Sequence, residues 1–286
     1  MARRKIVYIP YTKDEVQERI SKFDIRHEGL IVSTFYDGRI ISNVEVSEKY
    51  WSFDFKNFAK DIIEKINDYF VPETYTLRIN KGAQEIRLVG ESVTIKDDEY
   101  FKVFNLVNSS DKTRCLQMNI GLVHRKTGTY YVLAVENENA SVSGKHFFKS
   151  LPTKLEEFFQ VLPEFNVIID KQVSLLNTLS EKKISLKNLY KKLIRIDEDG
   201  VVLPSDVLRI RMFVKNLKNA GIEFVSEEVS QHLNLLTHYQ DFYNSNYDLE
   251  VNAKDVMDVF VSMYKNYDST TIERETRRIY NALMEA

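Results

Sequence analysis

Through the first half of the chain β-branched and aromatic runs alternate with short polar turns, and through most of the second apolar positions repeat at helical spacing. "LIVSTFYDGRIIS" sets Asp37-Gly38 between two apolar stretches, the signature of a tight β-hairpin. "ETYTLRIN", Lys81-Gly82 and "QEIRLVG" predict a second hairpin. "SVTI" and "YFKVFNLV" predict two further strands around the acidic turn Lys96-Asp97-Asp98-Glu99, and residues 106–132 predict another pair with the turn at Lys126-Thr127-Gly128. Two helices interrupt the strands. "KDEVQERISKF" is short, whereas "FKNFAKDIIEKINDYF" places Phe55, Phe58, Ile62, Ile66 and Phe70 along one helical side.

After residue 150 the pattern becomes helical. Pro152 suits the first turn of a long helix towards residue 180, and Pro163 should kink or break it. Ser185 can cap a helix ending near Arg195. Further helices are expected over 205–220, over "SEEVSQHLNLLTHYQDFY", and from Asn252 onward. The expected fold is therefore α+β, with an antiparallel β-rich N-terminal half containing two helices and an all-helical C-terminal half. The expected division is 1–150 and 151–286, the two parts packed as one unit for want of a low-complexity linker.

Composition changes this picture little. The 286 residues are 43% hydrophobic and 29% charged, as expected of a globular chain, and 16 Tyr with 17 Phe predict an aromatic core. No apolar run approaches the roughly 20 residues that cross a bilayer, and "MARRKIVYIP" is too short in its apolar part for a secretory leader. A cytoplasmic protein without a membrane partner is expected. Cys115 stands alone, which excludes an intramolecular disulfide and a cysteine-rich zinc site, and its place among apolar residues predicts a buried thiol.

Charge is uneven where the total is not. The net value is −2, yet residues 181–195 hold six basic residues against one acidic, and 223–258 hold eight acidic residues against Lys254 alone. Lys183, Lys187, Lys191 and Arg195 recur every four residues, which on a helix lines them along one side and suits a phosphate backbone. The competing explanation is a solvated face or a counterpart of the acidic stretch. A second cationic group lies on the hairpin, at Arg114, His124, Arg125 and Lys126, and on the polar loop after it, at Lys145 and His146. Strict alternation puts Gln117, Asn119 and Gly121 together on one face of that hairpin, a polar surface of low relief that a nucleic-acid backbone could approach. The competing explanation is ordinary polar decoration of a sheet.

Catalytic signatures are lacking. There is no HExxH, G-x-S-x-G, Walker A or dinucleotide fingerprint, and no pair of histidines at metal-ligand spacing. No cofactor, metal or catalytic residue is expected. A hydrolase would have to gather His124 or His146 with carboxylates such as Glu136 and Glu138.

"VSEKYWSFDFKNFAKDII", "YFKVFNLVNSSDKTRCLQMNIGLVH" and "GKHFFKSLPTKLEEFFQVL", taken in that order, resemble the domain-of-unknown-function 932 family of phage- and plasmid-borne proteins. Val46, Ser47 and Tyr50 match its first element, Asn108, Ser109 and Asp111 its turn, and Lys145-His146 stands where the family tends to have Arg-His. Ser110 replaces a frequent His, and Lys112 a Gly. The resemblance spans roughly residues 40–195 and implies a mobile-element setting, with no assigned activity.

These features together lead to an expected DNA-metabolism protein of a phage or plasmid that binds single-stranded nucleic acid without catalysis, in recombination or annealing. The alternative is a protein-interaction or host-takeover factor that uses the acidic region 223–258. Oligomeric state is open, a ring being expected of an annealing protein.

Overall fold

The structure, a computed structural model, describes residues 10–51, 54–80, 82–109, 115–133, 140–146, 150–185, 188–189, 192, 250–264 and 269–286. The strands are β1 (Pro10–Tyr11), β2 (Phe23–Glu28), β3 (Ile31–Tyr36), β4 (Arg39–Glu45), β5 (Pro72–Asn80), β6 (Ala83–Ile95), β7 (Asp98–Ser109), β8 (Leu116–His124), β9 (Tyr130–Tyr131), β10 (Ser141–Gly144), β11 (Lys183–Ser185) and β12 (Glu250–Asn252). The helices are α1 (Lys13–Ser21), α2 (Phe55–Ile66), α3 (Leu151–Val161), α4 (Phe165–Glu181), α5 (Ala253–Met263) and α6 (Ser269–Glu285). Two compact units emerge: Met1–Thr94 with Asp98–Arg125 and Ala134–Gln172, and Ile95–Asp97 with Lys126–Leu133 and Val173–Ala286. The sheet unit thus extends beyond residue 150 to take in α3 and the first part of α4.

In the first unit, an antiparallel sheet runs in the order β1-β5-β6-β7-β8-β10. Its apolar face carries Ile86, Leu88, Phe104, Leu106, Leu116, Met118, Ile120 and Leu122, all buried. Against this face sit α2 and α3. The Tyr75 hydroxyl donates to Asn67 at the end of α2 (3.4 Å), and a Cβ placed on Gly144 would meet Leu151 and Lys154 of α3. Phenyl rings join the helices: Phe58 lies edge-on to Phe158 (5.7 Å), and Phe70 stacks on Phe165 (4.4 Å). Gln172 ties α4 to the sheet by donating to the Ile120 carbonyl (2.8 Å). A smaller sheet, β2-β3-β4, belongs to the same unit. Its β3–β4 turn is Asp37-Gly38 with φ of 52° and 74°, the two left-handed residues that a type I′ turn requires.

Local chemistry sets the helix ends. Thr12 and Glu15 form a reciprocal capping box on α1, and Asp54 caps α2 through the Asn57 amide (3.1 Å). Pro152 occupies the first turn of α3, and Pro163 sits in a 3-10 turn (Leu162–Glu164) that separates α3 from α4. The expected strands "QEIRLVG" and "SVTI" are one strand, β6, running through Gly90. Gly90 is tolerated there because the Phe70 ring occupies the space a side chain would need.

The second unit corrects the expected all-helical C-terminal half. β11 pairs antiparallel with β12, Lys183 opposite Asn252 and Ser185 opposite Glu250, so strand as well as helix follows residue 150. Asn252 then caps α5, its side chain accepting from the amides of Lys254 (3.0 Å) and Asp255 (3.3 Å). The Ser185 hydroxyl accepts from the Asn188 amide (3.0 Å), as a helix cap does. Lys182 donates to the carbonyls of Leu283 (2.9 Å) and Met284 (2.6 Å), closing the C-terminal end of α6. The helices expected over 205–220 and 226–243 lie outside the described residues. Among the described residues no helix is long and apolar enough to cross a membrane.

Candidate functional site

Among the described residues, the cationic candidates of the hairpin and the loop after it divide into buried, ion-paired and exposed side chains. His124 closes β8 as a buried side chain, with Nε2 3.5 Å from Asp98 Oδ1 and its ring edge-on to Tyr100 (4.9 Å). His146 is also buried, stacked on Tyr50 (5.4 Å), and loss of solvent pushes its pKa down to about 4 against a weaker opposing hydrogen bond with the Trp51 backbone. Both imidazoles are buried, so neither lies open to a phosphate arriving from solvent. Arg125 is exposed but ion-paired with Glu99, whose pKa is lowered by hydrogen bonds from Ser92 and Arg125. Lys126 and Lys145 are exposed.

The helical row loses its first member: Lys183 is on a strand, where side chains alternate instead of recurring every four residues. Arg114, Lys187, Lys191 and Arg195 lie outside the described residues, as do Glu136, Glu138 and residues 223–249 of the acidic stretch. Cys115 is half-buried, not fully buried as expected.

What the strands do assemble is a polar face on the large sheet, opposite the face that packs against α2 and α3. The two-residue connection after Asn80 sets Arg78 opposite Glu85 and Thr76 opposite Arg87. Glu85 Oε1 pairs with Arg87 Nη2 (3.0 Å), and Glu85 Oε2 with Arg78 Nη1 (3.5 Å). With its amide turned so that nitrogen faces the acceptors, Asn105 of β7 donates to Glu85 Oε1 (3.3 Å) and to the Ile86 carbonyl (3.2 Å). Asn105 stands directly opposite Asn119 of β8, which stands opposite Ser141 of β10. Gln117 donates to Asn119 Oδ1 (3.0 Å) and to the Ser141 hydroxyl (3.3 Å).

The polar chain therefore crosses β5, β6, β7, β8 and β10. Gln117 and Asn119 share a face as alternation required, but they are buried, not a solvent-exposed surface. Burying amides costs free energy unless their donors and acceptors are met. Asn119 is wholly buried, yet its Nδ2 finds no hydrogen-bond partner among the described residues. Phe101, half-buried and opposite Val123, continues the same face, with the Arg125 guanidinium 5.8 Å from its ring centre.

Sequence reasoning missed Asn105, Arg78, Glu85 and Arg87. Their signal was present as alternation: Thr76 and Arg78 interleave with Leu77 and Ile79, and Glu85 and Arg87 with Gln84, Ile86 and Leu88. A separate cavity of about 230 Å³, between β2 and the start of α2, offers less chemistry. Its two carboxylates are already engaged, Asp24 by Arg26 (2.9 Å) and Asp54 by Asn57. No family model, curated protein or solved structure matches the chain.

Proposed function

We propose that this chain binds single-stranded nucleic acid without catalysis, through the polar face of its large sheet. The observation that carries the reading is that this face sets the part-exposed Arg78 guanidinium and the half-buried Phe101 ring, with Arg125 5.8 Å from its centre, on one side of the sheet. The chemistry of that face fits a nucleotide chain. Carboxamides of Asn and Gln form hydrogen bonds with base edges, guanidiniums neutralise phosphates, and an aromatic ring such as Phe101 offers a base a stacking surface. Sheet surfaces are a recurring platform for unstacked bases. Arg125 at the Phe101 ring and the exposed Lys145 add positive charge at the margin.

The resemblance to the domain-of-unknown-function 932 family supplies the setting: a phage or plasmid protein, working in the host cytoplasm, that assists annealing or recombination. Fluorescence anisotropy of the full chain with a labelled oligothymidylate tests the reading. Binding at low salt should weaken on a log–log salt plot by about 0.7 per phosphate contacted. No anisotropy change at low salt ends it.

A further inference from the structure

The polar face also holds a carboxylate shared between two guanidiniums. Glu85 offers one oxygen to each of two guanidiniums, Oε1 to Arg87 at 3.0 Å and Oε2 to Arg78 at 3.5 Å, and Asn105 adds an amide donor to Oε1 at 3.3 Å. A phosphodiester group presents the same pattern, a single negative charge shared by two non-bridging oxygens a short distance apart. From this match we infer that Arg78 and Arg87 form a seat for a backbone phosphate, and that Glu85 occupies the seat until nucleic acid displaces it. The inference rests on the proposed nucleic-acid role of this face.

Backbone geometry explains why both guanidiniums reach the same point. Arg78 faces Glu85 directly across the β5–β6 pair, and Arg87 follows Glu85 by two residues on the same strand, hence on the same face. Solvent reaches the three side chains unequally, and access is at Arg78: Arg78 is 26% exposed, Arg87 12% and Glu85 9%. Arginine is suited to such an exchange because its planar fork accepts carboxylate and phosphate with the same geometry.

Displacement has a thermodynamic consequence. An incoming phosphate gains two guanidinium contacts but must first separate them from Glu85, so the native carboxylate competes with ligand. Removing its charge should raise affinity, the opposite of what losing a binding residue does. The test measures labelled oligothymidylate binding to the full chain, with circular-dichroism melts as a check on folding. Glu85→Gln is expected to bind about tenfold tighter than the natural protein, with a salt slope steeper by about 0.7. Arg78→Gln is expected to bind more weakly, with a slope shallower by about 0.7.

A folded Glu85→Gln protein whose affinity is unchanged or reduced overturns the seat. If the natural protein binds and Glu85→Gln is no tighter, the seat alone falls. If neither binds at low salt, the nucleic-acid reading falls with it. Should Glu85→Gln melt too low to study, Glu85→Asp keeps the charge but draws it back by one methylene. It is then expected to bind about threefold tighter, and equal binding by Glu85→Asp and Arg78→Gln to the natural protein counts against the seat.

Discussion

Asn105 and Asn119 face each other across β7 and β8 with neither side chain touching solvent, in strands whose alternate residues are Phe104, Leu106, Met118 and Ile120. Two amides at the centre of a sheet are a costly substitute for two aliphatic residues, since each brings a donor pair and an acceptor that must be met. Asn119 is incompletely met: Gln117 supplies its oxygen, while its nitrogen has no partner among the described residues.

Asn119→Val separates a stabilising role from a binding role. Gln117 loses one acceptor but keeps the Ser141 hydroxyl, so the unfolding free energy should change by no more than about 1 kcal/mol in either direction. Oligothymidylate affinity should stay within about twofold of the natural protein, because the side chain has no surface open to a base. Urea unfolding and anisotropy on the same preparation decide it. A loss of binding of about tenfold at unchanged stability would show instead that the amide reaches the ligand.

His146 predicts a pH dependence with a definite sign. Its ordinary pKa is 6.5 and burial lowers it to about 4, so between these values the unfolded chain binds a proton that the folded chain refuses. Stability from this group is complete above pH 6.5, declines on acidification, and is lost near pH 4; the span corresponds to at most about 3 kcal/mol. Trp51, the single tryptophan, donates its amide proton to the His146 carbonyl (3.1 Å) and so reports on this region by fluorescence. His146→Phe retains a ring beside Tyr50 but cannot titrate. Urea midpoints should fall less between pH 7 and pH 4.5 for the variant, and parallel declines would remove His146 from the acid response.

Legibility followed range. The Asp37-Gly38 turn fixed its own hairpin because a two-residue loop with two left-handed residues leaves little freedom. The Lys81-Gly82 turn went further: with Asn80 opposite Ala83, counting back along alternating strands brings Arg78 to Glu85. That pairing was readable, and its importance was not, because polar strand positions look solvent-facing until the rest of the sheet is known. Alternation places Gln117 and Asn119 together, and their burial is invisible in the sequence for the same reason. Lys183 illustrates the remaining limit. Its spacing to Lys187 reads as a helix, but the backbone of Lys183–Ser185 pairs with Glu250–Asn252, a partner remote in sequence that no local pattern announces.

Gly144 tests how closely α3 is seated on the sheet. A Cβ there would lie 2.9 Å from Leu151 Cδ1 and 3.1 Å from Lys154 Cβ. Leu151 is buried at the start of α3, so neither neighbour can yield without moving the helix. Gly144→Ala should therefore destabilise by about 1–3 kcal/mol, as overpacking does. Urea unfolding followed at Trp51 measures the loss. A neutral result would mean that α3 can shift freely, and that the glycine is dispensable at this contact.

The second unit contains a buried charge whose removal has a distinctive signature. Lys254 is 1% exposed, and its Nζ meets Asp258 Oδ2 at 2.9 Å one turn along α5. The other carboxylate oxygen accepts a hydrogen bond from the Tyr131 hydroxyl at 2.6 Å, so a single aspartate satisfies an ammonium and a phenol. Asp258→Ala takes this carboxylate away from the buried ammonium and should cost about 3–5 kcal/mol. Lys254→Met replaces the cation with a chain of similar length and leaves Asp258 hydrogen-bonded to Tyr131 and part-exposed, so it should cost less. Replacing both, as Lys254→Met with Asp258→Leu, removes the unpaired charge altogether and should recover most of the loss, because a buried ion pair contributes little over well-packed apolar residues. Thermal unfolding of the natural protein, the two single variants and the double variant closes a cycle. Strong non-additivity, with the double variant more stable than Asp258→Ala, is the expected outcome, and simple addition of the single losses would mean that the two side chains act independently.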